Sequence, residues 1–500
     1  MSRDQAAGST SAWRGLPFLV GACLMFFVWG MELTAVAAAL PSIAAHLRPA
    51  SLYGWVPAAY LLAEVVGTPL AARVVSTSGL RPVLVASIGL FALGAIGSAM
   101  APSMGALVVC SAVQGAGMSG GYIALVAAMS SGHATAAGIA RAQGIAVGVF
   151  GVGHLAGPVV AEAMLRFASW RELYWLEVPL AAASFLLLVW QAPETDRRER
   201  RRMDVAGTAV LVLLGGLLCA DAIGVLPSLA VYPAAVALLP IGYWIEKRQR
   251  DPLVPRLLLC DRRVFSAALV LVAGEALAAC FVTFFPLFAA LLFGRPEAAG
   301  RVLFPAVLGR AIASMMCGAL ANRWSVRAIA SIGISLSWSS CAALVLLPFG
   351  WLSFVQLGVI VLVLGFGLGL VYTPVLVAVQ AAVDERDLGS ATAFESFLSA
   401  TSGVLVVGAM SGALAQLLGW RAGEAPEALA VVAGGSISDP ARSAYLFFWA
   451  VLLALASLAL AFSIAGRRVL GGARGAPIDA PTMSSGSSGT GGGPHGKSVW

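Results

Sequence analysis

The feature that most constrains this chain is a recurring run of about twenty apolar residues, broken by short polar links. A helix rises about 1.5 Å per residue, so about 20 residues cross the roughly 30 Å hydrocarbon core of a bilayer. In lipid every backbone N–H and C=O must bond within its own segment, so such runs are read as helices. Candidate spans are residues 15–40, 53–72, 82–101, 105–130, 140–164, 173–192, 206–224, 227–245, 264–292, 301–321, 328–348, 352–380, 391–418 and 443–466. They number fourteen, the pair 206–224 and 227–245 being joined by a tight turn near Pro227. An even number puts both termini on one side. The first run exceeds the 7–15 residues of a signal-peptide core, so it reads as an uncleaved span.

Only 11% of residues are charged and 59% are hydrophobic, against about 25% charged in soluble domains. Basic residues concentrate in cytoplasmic loops of membrane proteins. With both termini inside, 23 of the 31 Lys and Arg fall in cytoplasmic segments and 7 outside, with Arg310 inside a span. This asymmetry accounts for the net charge of +7 without a nucleic-acid partner. The seven cysteines, at 23, 110, 219, 260, 280, 317 and 341, are scattered and form no C-x-x-C pair. That argues against a disulfide framework or a zinc site, and neither a metal nor a cofactor is expected.

Two short patterns imitate enzymes. Gly491 to Ser498, in GGGPHGKSVW, fits G-x-x-x-x-G-K-[ST]. A phosphate loop needs a buried strand before it and a helix after it. Here a Gly/Ser-rich stretch precedes it and two residues follow, so it reads as tail, flexible by composition. GMSGG (117–121) fits G-x-S-x-G, but a hydrolase elbow needs a strand-to-helix turn. Lying within a candidate span, it reads as close helix packing.

Several motifs stand in order along the chain. They are MELTAVAAALPSI (31–43), GHLAGPVVAE (153–162), WRELYWLEVP (170–179) and IEKRQRDPLVPRLLL (245–259). AARVVSTSGLR (71–81) is echoed by GALANRWSVR (318–327). Together these resemble the major facilitator superfamily, in its fourteen-span drug:proton antiporter branch, over about residues 15–466. Glu32 stands for the acid of the first-span motif, and Gly153, Gly157 and Pro158 match the span-five antiporter motif. The resemblance implies an all-α membrane protein with a cytoplasmic segment 1–14, a six-helix bundle 15–192 and two extra spans 206–245. A second six-helix bundle (264–466) and a cytoplasmic tail (467–500) complete it. It implies a monomer in the cell's inner membrane, surrounded by lipid, exchanging protons for a small organic substrate. Arg81, Arg323 and Arg327 match the loop motif that latches one conformation. Its acid is missing, with Ser76 in the first copy and Asn322 in the second. Ser111, in SAVQG, replaces the arginine of span four.

Lipid itself singles out further residues. A carboxylate at mid-membrane costs about 2.5–3.5 kcal/mol on insertion scales, and removal from water favours the neutral form. Such a group can load and release a proton. Glu32, Glu64 and Glu275 lie well inside spans and are the expected proton-coupling groups. Asp221, Glu162 and Glu177 lie nearer span ends and are expected to be solvated. Arg310 is always charged and needs a partner: Glu275, another carboxylate or an anionic substrate. Arg310, Gln114 and Tyr60 are the expected substrate contacts. His154 is open to a structural or a proton-handling role. Proton-driven export of a small organic molecule leads. Transport of an organic anion through Arg310, or a non-transporting membrane sensor, stand as alternatives.

Overall fold

The computed structural model describes residues 16–189 apart from 48 and 131–135, the isolated positions 210, 213 and 217, and residues 228–248. It also describes 262–293, 299–346 apart from 322, 354–381, 388–418 and 439–465. The first six helices are α1 (Leu16–His46), α2 (Trp55–Ser78), α3 (Leu80–Ala99), α4 (Met104–Ser130), α5 (Ala136–Phe167) and α6 (Trp170–Val189). Helix α7 (Ser228–Arg248) follows alone. The last six are α8 (Arg262–Phe293), α9 (Ala299–Ala321), α10 (Val326–Leu344), α11 (Phe354–Ala381), α12 (Leu388–Leu417) and α13 (Asp439–Ala465). Among the described residues, ten helices are long and apolar enough to cross a membrane. The chain is an all-helical, multi-pass membrane protein. The expected span 206–224 falls almost wholly outside the described residues, as do the segments 1–14 and 467–500.

Helix α1 runs past the expected end at Leu40, through Pro41 to His46. Pro41 brings no N–H to the helical ladder. The added turn is held by burial of Ile43, Ala44 and Leu47. Between α2 and α3 the chain turns at Gly79, whose φ of 92° lies in the left-handed region. A side chain would be strained there, so the turn calls for glycine.

The two bundles pack alike. In the first, α1 contacts α5 and α6, α4 contacts α2 and α3, and α3 contacts α6. In the second, α8 contacts α12 and α13, α11 contacts α9 and α10, and α10 contacts α13. Each pair repeats with a shift of seven helices. Internal repeats of this kind are typical of secondary transporters. The bundles meet through α2 with α12, α5 with α9, and α1 with α8.

Their union is uneven across the membrane. Near the end of α1, Leu40, Tyr53 and Trp170 share one apolar core with Phe281, Phe284 and Phe448 of the second bundle. Tyr53 donates to the Thr283 carbonyl across the interface (3.0 Å) and its ring stacks on Phe284. Near the start of α1, the described residues form separate cores. Phe26, Trp29, Leu84 and Phe91 belong to the first bundle, and Val270, Leu271 and Val375 to the second.

Candidate functional site

Five helices of the first bundle converge on a buried polar network. Glu32 sits near the middle of α1 and is 3% exposed. Tyr60 and Glu64 lie one turn apart on α2, so they share a face. The Tyr60 hydroxyl is buried close to Glu32, without hydrogen-bond geometry between them. Ser98 of α3 donates to Gln114 Oε1 on α4, and Gln114 Nε2 donates to Glu177 Oε2 on α6, each at 3.0 Å. The Gln114 amide is thereby held between a hydroxyl and a carboxyl. Gln114, expected to meet the substrate, is fully buried within this chain of bonds.

The expectation of a solvated Glu177 is overturned, because the residue is fully buried. Helix α6 begins at Trp170, which sets Glu177 about 10 Å along the axis, where α1 and α3 pack over α6. The signal was present in WRELYWLEVP, where an acid occupies an otherwise apolar turn. Glu162 is also more than a solvated end group. Its carboxylate pairs with Arg301 Nε at 2.8 Å, linking α5 to α9 across the two bundles. Asp221 lies outside the described residues.

The second bundle holds an ion pair at mid-depth. Arg310 Nη2 of α9 donates to Glu275 Oε1 of α8 at 2.7 Å. Ser399 of α12 donates to the other carboxylate oxygen at 3.3 Å. The guanidinium lies 5.1 Å from the Tyr372 ring centroid. Among the described residues, Glu275 is a carboxylate partner of Arg310. Across the interface, His154 of α5 lies within electrostatic range of Arg310. Removing one member of such a pair leaves an uncompensated charge. The pair is partly exposed, at 32% for Arg310 and 15% for Glu275, which screens that cost. Arg310→Gln is expected to destabilise the purified protein by about 1–3 kcal/mol, and adding Glu275→Gln should restore most of it. Thermal melting in detergent checks this; an Arg310→Gln protein as stable as the parent would contradict it.

The motif residues of α5 lie on two interfaces. Gly153 faces the Phe27 carbonyl of α1, and Gly157 faces Thr34. The Thr34 hydroxyl donates to the His154 carbonyl at 2.8 Å. The Pro158 carbonyl faces Gly300 of α9, in the other bundle. Arg81 stands in the first turn of α3, partly buried, and Arg323 is exposed between α9 and α10. The side chains of Arg327 and Ser76, and Asn322 as a whole, are outside the described residues. GMSGG is helical throughout, and the Ser119 hydroxyl donates to the Ala116 carbonyl of its own helix at 3.0 Å.

A family model described as Major Facilitator Superfamily matches residues 18–407. The efflux pump dotC of Dothistroma septosporum is 26% identical over 398 residues, covering 76% of this chain and 67% of that protein. Multidrug resistance protein 3 of Bacillus subtilis is 23% identical over 408 residues, 78% of each chain. A POT family transporter solved in complex with a thioalcohol-conjugated peptide superposes with a TM-score of 0.63. That match covers 89% of this chain and 96% of the other, at 14% identity, a likeness of fold alone.

Proposed function

Because the chain belongs to the Major Facilitator Superfamily and is a membrane transporter, we propose that it exports small organic molecules in exchange for protons. The observation that carries this reading is Glu32: a carboxyl at the middle of a membrane helix, 3% exposed, whose Oε2 meets no hydrogen-bond partner among the described residues. A purely structural acid would be expected to have both oxygens satisfied. A proton held on that oxygen in one state of the cycle accounts for its being left over. Efflux is supported by the names of the relatives, an efflux pump and a multidrug resistance protein. The anion reading loses support, since Arg310 already has a carboxylate partner.

In this reading the protein has fourteen spans, acts as a monomer in the inner membrane and keeps both termini in the cytoplasm. The basic residues support that orientation. The joined ends of the bundles then face outward and the separate ends inward, an arrangement ready to receive substrate from the cytoplasm. Reporter fusions at the C-terminus and within 421–441 are expected to give opposite sidedness. The same sidedness at both sites would contradict fourteen spans. Transport itself is tested in vesicles under an imposed pH gradient, using cationic, neutral and anionic fluorescent dyes. Gradient-dependent movement of at least one class is expected. No movement beyond protein-free vesicles in any class would sink the export reading.

A further inference from the structure

Among the described residues, four buried polar atoms of the first bundle have no partner in hydrogen-bond geometry, and their residues lie within electrostatic range of one another. They are Glu32 Oε2, the Tyr60 hydroxyl, Glu177 Oε1 and the Tyr174 hydroxyl. Their residues are at most 4% exposed. Tyr60 lies within electrostatic range of Glu32, Glu64 and Glu177, and Tyr174 of Glu32, Glu177 and Cys110. Glu177 lies within electrostatic range of Glu32 from α1 and of Tyr60 from α2, and it accepts from Gln114 of α4, which is itself held by Ser98 of α3. On α5, His154 lies within electrostatic range of Arg310 of the other bundle. Among the described residues, no ion pair reaches either Glu32 or Glu177.

Glu32 and Glu177 lie within electrostatic range of each other on helices that pack together, and two carboxylates so placed in a dry site disfavour holding both charges. A proton on one turns an acceptor oxygen into a donor, and that donor can serve the other carboxyl or a tyrosine hydroxyl. The Gln114 amide favours one of the two Glu177 oxygens. Its N–H occupies Glu177 Oε2, leaving Oε1 as the atom able to take the proton. We propose that Glu177 is a second proton-carrying group of the transport cycle, forming with Glu32 one proton-binding site that bridges α1 and α6. A proton passing between them breaks an O–H bond at one carboxyl and forms one at the other, so the charge of the pair is unchanged. Because α1 also touches α8 and α9, occupancy of the site bears on the contact between the bundles. Glu177 thereby gains a transport role rather than that of a packing residue.

The inference rests on the reading of Glu32 as a coupling group, but its test needs no substrate. The full chain in detergent is titrated with acid and base while infrared difference spectra follow the protonated-carboxyl bands. Glu177→Gln should remove one band and shift the midpoint of the Glu32 band by about one pH unit or more, as for coupled sites. Glu32→Gln should do the converse. The bands that persist in the double variant serve as controls. Should Glu177→Gln fail to fold, Glu32→Gln decides: one band lost and another shifted supports the shared site. One band lost with all others in place overturns it, as does a Glu177→Gln protein that loses no band. If Glu32→Gln left gradient-driven transport untouched, the coupling reading would fall, while the titration would still decide whether the carboxyls share a site.

Discussion

Gly157→Leu should leave little folded protein in the membrane, whereas Gly148→Leu on the same helix should be tolerated. In lipid there is no hydrophobic drive between helices, so α1 and α5 are held by close packing and hydrogen bonds. A Cβ on Gly157 would lie 2.6 Å from the Met31 carbonyl oxygen and 2.8 Å from the Ala35 nitrogen, and would also collide with the Thr34 hydroxyl. Two of these obstacles are backbone, which no rotamer change can remove. Inserting a leucine must push α1 from α5 and break the Thr34 bond to His154. Overpacking by a methylene or two costs about 1–3 kcal/mol, and a whole side chain against backbone exceeds that. A Cβ on Gly148 meets nothing within 4 Å. Size-exclusion chromatography of fluorescent fusions reads both outcomes. A sharp monodisperse peak for Gly157→Leu would contradict the packing described for α5.

That interface was legible in sequence only as a glycine motif. GHLAGPVVAE marked a close approach but not the helix approached, since glycine spacing carries no information about the partner. Helix positions were far more legible, because lipid forces apolar runs of a set length. Each described membrane helix overlaps a run visible in the sequence, and α1 outlasts its run only where buried residues carry it past Pro41. Buried charge was half legible. Glu275 was one of three partners open to Arg310, and the structure selects it. Glu177 was misjudged because distance from a span end is not depth: neighbouring helices decide burial, and α1 and α3 cover α6 there. The link from Glu162 to Arg301 joins the two bundles. No local pattern can bring such distant residues together.

The central claim concerns Glu32. Glutamine has the shape of a protonated glutamate, so Glu32→Gln should fold and bind substrate yet be unable to exchange a proton. With a gradient of about two pH units, one exchanged proton can sustain about 100-fold accumulation of a neutral solute. Glu32→Gln should collapse that ratio to near one, while solute flux down its own gradient persists. Glu32→Asp keeps the carboxyl but shortens its reach, and should retain part of the accumulation. The most direct measurement is steady-state accumulation in proteoliposomes under an imposed pH gradient, parent and Glu32→Gln side by side, with a dye that the parent moves. Accumulation by the parent and none by the variant is the expected result. A Glu32→Gln protein that accumulates the dye like the parent, with the same pH dependence, would contradict the account and move the coupling role to another buried carboxyl.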